Sequence, residues 1–255
     1  FRRSRGLGDV YKRQTYVIIK QQMLYIRSFL FYIVFFSSLI FFSLYILIIS
    51  VWSNLATLQR QSSKWIHFTN KSLEKICNIT LDISGMENLP NKPCIIVANH
   101  QGVWESLFIQ TLVIPSASII KKELLYIPFF GWGLAQMKPI TINRAHKFSS
   151  LKKVINKGSE KLNHGVSIII FPEGTRSDPI NGINKFNNSY IKLAHENNCQ
   201  IIPICHNSGK FWVNKKFIKR PGLIKMVIGG PILPDPEQET ASKIHTWMKE
   251  TYQSM

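Results

Sequence analysis

Acidic residues are scarce in this sequence. Asp+Glu number 14 against 32 Lys+Arg in 255 residues, for a net charge of +18. Such a balance favours nucleic acid, anionic lipid or phosphorylated substrates as partners. Cysteine is scarce too. Cys77, Cys94, Cys199 and Cys205 stand far apart, which excludes a zinc-ligand pattern and a disulfide scaffold. Cys94 and Cys205 sit inside apolar runs and read as small core residues. With 14 Gly and 12 Pro, a collagen-like chain is excluded. There is no internal repeat and no low-complexity tract. What is plentiful is apolar surface, 45% of residues, which excludes a disordered chain. The length fits one ordinary domain with an appendage.

Residues 4–14 resemble the translation of a transposon-end adapter used in making sequencing libraries. Residues 1–22 are therefore expected to be foreign, with Met23 the native start. They carry six basic residues and one acid, so setting them aside lowers the net charge from +18 to +13.

Residues 29–52 form a run of 24 without a charge and with six Phe. As a helix this run is roughly 36 Å long, enough to cross a ~30 Å hydrocarbon core. It is too long for a signal-peptide core, and residues 23–56 are expected to be a transmembrane anchor. On its N-terminal side the native chain offers only Arg27. On the other side Arg60, Lys64 and Lys71 follow, which places the C-terminal domain in the cytoplasm. Counting residues 1–22 reverses that assignment. Residues 57–78 mix Leu58, Trp65, Ile66, Phe68, Leu73 and Ile76 with basic residues, as in an amphipathic helix lying on a membrane or on the domain.

From residue 79 the texture changes. Short apolar runs at 94–98, 117–120, 140–142, 167–171, 200–204 and 225–228 alternate with helix-length stretches such as 148–163 and 190–197. Buried strands alternating with helices define an α/β domain over 79–255 with a mostly parallel sheet flanked by helices.

The first five runs end in polar residues. They lead into Asn99-His100, Lys121-Lys122, Asn143-Arg144, Phe171-Pro172-Glu173-Gly174-Thr175-Arg176 and Cys205-His206-Asn207. In open α/β sheets, ligands bind beyond the carboxyl ends of the strands. Glu105 stands five positions after His100. They can meet if His100 lies in the turn, eased by Gly102, and Glu105 in the first turn of the next helix. A carboxylate on one ring nitrogen fixes the tautomer and leaves the other nitrogen to take a proton, which describes a general base for a hydroxyl. Gly174 and Thr175 allow a tight turn whose amides cradle an anion if a helix starts there. Arg176 can hold a phosphate bidentately, and Glu173 can receive a hydroxyl or brace the arginine. Arg144 and Lys121 are further anion ligands. The remaining histidines lie in polar or helical stretches, except His206, which follows a strand end.

These blocks, in this order, resemble those of the bacterial 1-acyl-sn-glycerol-3-phosphate acyltransferases, of the glycerolipid acyltransferase family. Asn99-His100 with Glu105-Ser106 resembles the His-x4-Asp block, and Ile140 to Arg144 the second block. The run from Phe171 to Arg176 matches the third, and Ile202-Pro203-Ile204 resembles the fourth. The resemblance covers roughly residues 57–235. It implies that His100 deprotonates the acceptor hydroxyl, with Glu105 in place of the relay aspartate. It implies that Lys121, Arg144, Glu173, Gly174, Thr175 and Arg176 bind the glycerol phosphate. It implies no metal and no cofactor, with acyl-CoA or acyl carrier protein as donor, lysophosphatidate as acceptor and a site at the bacterial inner membrane. Nucleic acid is not an expected partner. Departures are Glu105 for Asp, Gly102 where relatives carry Ser, Asn143 for Asp, and Phe186-Asn187-Asn188-Ser189 where Phe-Lys-x-Gly is common. They keep two alternatives open: another acceptor, such as a lyso-ornithine lipid or glycerol 3-phosphate, and a catalytically dead membrane-binding module.

Overall fold

A computed structural model describes residues 2–143, 147–234 and 237–255. Helix α1 (Arg2–Ile49) is continuous for 48 residues, through the expected boundary at residue 23. It ends three residues short of the expected span, where residues 50–52 form a turn. Asn54 then caps α2 (Leu55–Ser72), its side-chain oxygen accepting the Thr57 N–H at 2.9 Å.

The C-terminal half of α1 is docked along one flank. Ser28, Phe31, Phe35 and Ile46 recur at helical spacing and are buried. Phe31 and Phe35 meet Trp212 edge-on, and Phe42 stacks on Trp65 of α2. Phe29, Ile33, Phe36, Phe41, Leu44 and Ile48, on the other flank, are exposed. Helix α2 lies on the domain. Its Leu58, Trp65 and Ile66 are buried, while Arg60, Lys64 and Lys71 face outward. Past α2 a π-turn, Leu73–Cys77, ends at Asn78 in the left-handed region (φ 54°) and releases the chain into the sheet.

Seven strands form that sheet in the order β1-β7-β6-β2-β5-β3-β4. They are β1 (Ile79–Ser84), β2 (Ile95–Ala98), β3 (Ser116–Lys121), β4 (Ile140–Ile142), β5 (Ser167–Ile170), β6 (Ile201–His206) and β7 (Gly222–Ile228). All pairings are parallel except β6–β7. The apolar runs are continuous because both faces are covered. Ile95, Val97, Ile168, Ile170 and Ile201 point into one layer, under α5 (Lys147–Asn163), α6 (Ser189–Glu196) and α7 (Glu237–Gln253). Ile96, Ile169, Ile202 and Ile204 point into the other, with Trp65, Ile66, Trp104 and Phe108.

Strand β1 was not among the expected runs, because its alternating Ile79-Thr80-Leu81-Asp82-Ile83-Ser84 buries only one face at the sheet edge. All four cysteines are buried and free.

Candidate active site

Strand β2 ends in Asn99, whose buried amide clamps it to β6. Its Nδ2 donates to the His206 carbonyl (2.9 Å), and the His206 N–H donates to its Oδ1 (3.0 Å). The two strand ends therefore move as one, and His100 projects from the next position. Helix α3 (Trp104–Phe108) starts four residues later, so Glu105 occupies its first turn. The chain passes close at Gly102: a Cβ there would lie 3.2 Å from the Trp212 carbonyl oxygen, tight enough that the neighbour would have to give by a few tenths of an ångström. Trp104 ties α3 to α2 by donating Nε1–H to Asn70 Oδ1 at 2.9 Å.

His100 Nδ1 lies 2.9 Å from Glu105 Oε1. The same oxygen accepts the main-chain N–H groups of Gln101 (2.8 Å) and Gly102. Glu105 is fully buried. Burial alone would raise its pKa; the hydrogen bond from His100, the charges of His206 and His100 and the Gly102 amide outweigh it and hold it at about 2. An ionised carboxylate only accepts, so Nδ1 of His100 carries the proton and Nε2 the lone pair. No described residue bonds Nε2, and the side chain keeps 14% of its exposure. The ring stacks on Phe171 at 4.5 Å. The geometry gives a histidine with a fixed tautomer and an open nitrogen, able to take a proton.

The loop after β5 grips the same residue. Glu173 Oε1 accepts the His100 N–H at 2.7 Å, and its Oε2 accepts the Asn184 N–H at 2.9 Å. Ser177 returns a bond from its N–H to the His100 carbonyl at 2.7 Å. Glu173 thus braces His100 and not Arg176. Burial, the largest influence, raises its pKa, against the pull of those two amides. Gly174 supplies the expected tight turn in the left-handed region (φ 66°). No helix starts there, so the expected cradle lacks a helix N-terminus; the next helix is α6. Thr175 and Arg176 are exposed, and Arg176 donates to Asn214 Oδ1 at 2.9 Å. Lys121 is exposed at the end of β3. Arg144 lies outside the described residues. Sequence reasoning missed the stacking of Phe171 and the part played by Gln101. It also missed Ser208, which lies just past β6, at the same sheet edge as His100.

Between α1, α2 and α4 (Phe130–Gln136) lies a half-open apolar pocket of about 70 Å³. Phe42, Ile46, Trp65, Phe130, Met137 and Leu107 line it, the last two residues along α3 from Glu105.

A carboxylate-oriented histidine at the carboxyl edge of a mostly parallel sheet is an arrangement able to serve general-base chemistry. The comparisons narrow the class. The family model described as "Acyltransferase" matches residues 80–207. A 1-acyl-sn-glycerol-3-phosphate acyltransferase of Pseudomonas aeruginosa is 36% identical over 192 residues, 73% of this chain and 74% of the relative. One from Borreliella burgdorferi is 32% identical over 161 residues, 62% of this chain and 63% of the relative. The chain belongs to the acyltransferase family. The crystal structure of PlsC from Thermotoga maritima, a 1-acyl-sn-glycerophosphate acyltransferase, shares the fold: TM-score 0.74 at 24% identity, over 92% of this chain and 96% of that one.

Proposed function

We propose that this protein acylates the free sn-2 hydroxyl of 1-acyl-sn-glycerol 3-phosphate, using a thioester donor, to give phosphatidate for phospholipid synthesis. The observation that carries the reading is the His100–Glu105 pair with Nε2 left open, in a chain of this family. Nε2 takes the hydroxyl proton as the oxygen attacks the thioester carbonyl carbon. The C–S bond then breaks, and the departing thiolate recovers the proton from the imidazolium. Glu105 stays ionised throughout and stabilises that imidazolium. Lys121, Arg144 and Arg176, with the Thr175 amide on the turn that Gly174 shapes, meet the acceptor phosphate, while Glu173 keeps His100 in register. Acyl-CoA and acyl carrier protein both supply the required thioester, and the reaction needs no metal.

The exposed apolar flank of α1 and the basic outer face of α2 support attachment to an anionic membrane. We place the enzyme on the cytoplasmic side of a bacterial inner membrane, where thioester donors are made.

The test is acyl transfer in membranes expressing residues 23–255, with lysophosphatidate and labelled acyl-CoA, beside a His100→Ala control. Phosphatidate formation that vanishes in the control supports acceptor class and base together. No product with either donor rejects lysophosphatidate, and lyso-ornithine lipid is then the next acceptor to try.

A further inference from the structure

The second oxygen of Glu105 has a partner of its own. Ser208 lies buried on the turn after β6, and its hydroxyl sits 3.0 Å from Glu105 Oε2. The same hydroxyl oxygen is 3.1 Å from Nδ1 of His206. A serine hydroxyl has one proton and can serve only one of these acceptors. The surroundings of His206 decide which. Its ring is fully buried, and its Nε2 faces the main-chain oxygen of Asn99 at 2.8 Å. A carbonyl only accepts, so Nε2 carries the proton, and in the neutral ring Nδ1 holds a lone pair. Burial keeps the ring neutral by lowering its pKa, more strongly than Glu105 raises it. The Ser208 main-chain N–H already points at that lone pair, at 3.4 Å. Of the two acceptors the ionised carboxylate is the stronger. The hydroxyl proton therefore goes to Glu105.

We infer that Ser208 is a positioning residue for acyl transfer: its hydroxyl fixes the plane of the Glu105 carboxylate against His100, and His206 keeps that hydroxyl available. The inference rests on the base role of His100 proposed above. A glutamate has one more torsion than an aspartate, so its carboxylate needs more holding. Oε1 has three donors: His100 Nδ1, Gln101 N and Gly102 N. Among the described residues Oε2 has Ser208 alone. Without it, a buried carboxylate oxygen is unpaired and the group is free to rotate off the histidine.

The experiment compares the full chain with Ser208→Ala, Glu105→Gln and the double variant. Steady-state acyl transfer is one readout. The pH profile of His100 modification by diethyl pyrocarbonate, in enzyme without substrate, is the other. Ser208→Ala is expected to lower kcat about 10- to 100-fold, part of the ~10²–10⁴-fold that a general base supplies, with KM little changed. In the Glu105→Gln background the same substitution is expected to cost less than about twofold, because the group it positions is already neutral. The midpoint of His100 modification is expected to move to lower pH in Ser208→Ala and to move no further when added to Glu105→Gln. Ser208→Cys keeps the volume but donates weakly. It is expected to behave as the alanine variant, and it decides the matter if alanine does not fold. Additive losses, or an unmoved midpoint, overturn the inference. The modification profile needs neither donor nor acceptor, so it stays decisive even where lysophosphatidate fails as substrate.

Discussion

Replacing Glu105 by Gln removes a charge and little else. The amide oxygen can still accept from Gln101 and Gly102, and the amide nitrogen can face Ser208, so the pocket keeps its volume and its bonds. In the mechanism proposed above, what is lost is the attraction between the carboxylate and the His100 imidazolium that forms as the hydroxyl is deprotonated. Unit charges about 4 Å apart at an effective dielectric of ~20 attract by about 4 kcal/mol. At 1.36 kcal/mol per decade this predicts a roughly 10³-fold fall in kcat. KM for the acceptor should hardly move, because the interaction exists only once the proton has transferred. The pH dependence checks the assignment. Glu105 is held at about 2, below the ~4.3 of an unfolded chain. Its contribution to stability is thus complete above the unfolded value and lost as pH falls through about 2. An acid limb of kcat/KM above about pH 4 then does not arise from Glu105 itself, and a limb that Glu105→Gln moves to lower pH is that of a cation this carboxylate stabilises. The assay is phosphatidate formation in detergent micelles across pH, for both proteins. A fall in kcat below tenfold, or a loss expressed in KM, would refute the reasoning.

Lys219 is buried beneath α1, where its Nζ donates to Tyr32 Oη (2.6 Å) and the Phe217 carbonyl (3.0 Å). Burial pushes its pKa down to about 8. The unfolded chain keeps that proton up to ~10.4, so between these values raising the pH favours the folded state, and below about 8 the contribution is flat. Melting curves of wild type and Lys219→Met should therefore diverge in slope above pH 8, and parallel curves would count against a buried ammonium. Residues 11–23 are exposed, and among the described side chains of α1 the first to be fully buried is Ser28. A chain starting at Met23 should melt within a few degrees of the full chain and keep its kcat, as differential scanning fluorimetry and the acyl-transfer assay would show.

The strands were legible where both faces are buried, because a run such as Ile168-Ile169-Ile170 has no other place in a water-soluble fold. Strand β1 was not, since an edge strand needs only half its residues apolar and Thr80 and Asp82 diluted the signal. The carboxyl-edge rule then brought His100 and Glu105 together without any coordinates, because both lie on the connection after one strand. It could not separate Glu173 from Arg176. Both are polar residues on one loop, and only the path of the chain turns one inward against the His100 amide and the other outward to Asn214. Ser208 lay hidden for a related reason. A serine carries no charge and no spacing signature, and it reaches Glu105 only because β6 runs beside β2 in the same direction. Helix α1 shows the limit from the other side. Composition marks residues 29–52 as apolar all round, but the docked flank differs from the exposed one by contacts, not by residue type. Phe31 is buried while Phe29 is open. Residue chemistry therefore named the candidate groups, and sheet topology decided which of them touch.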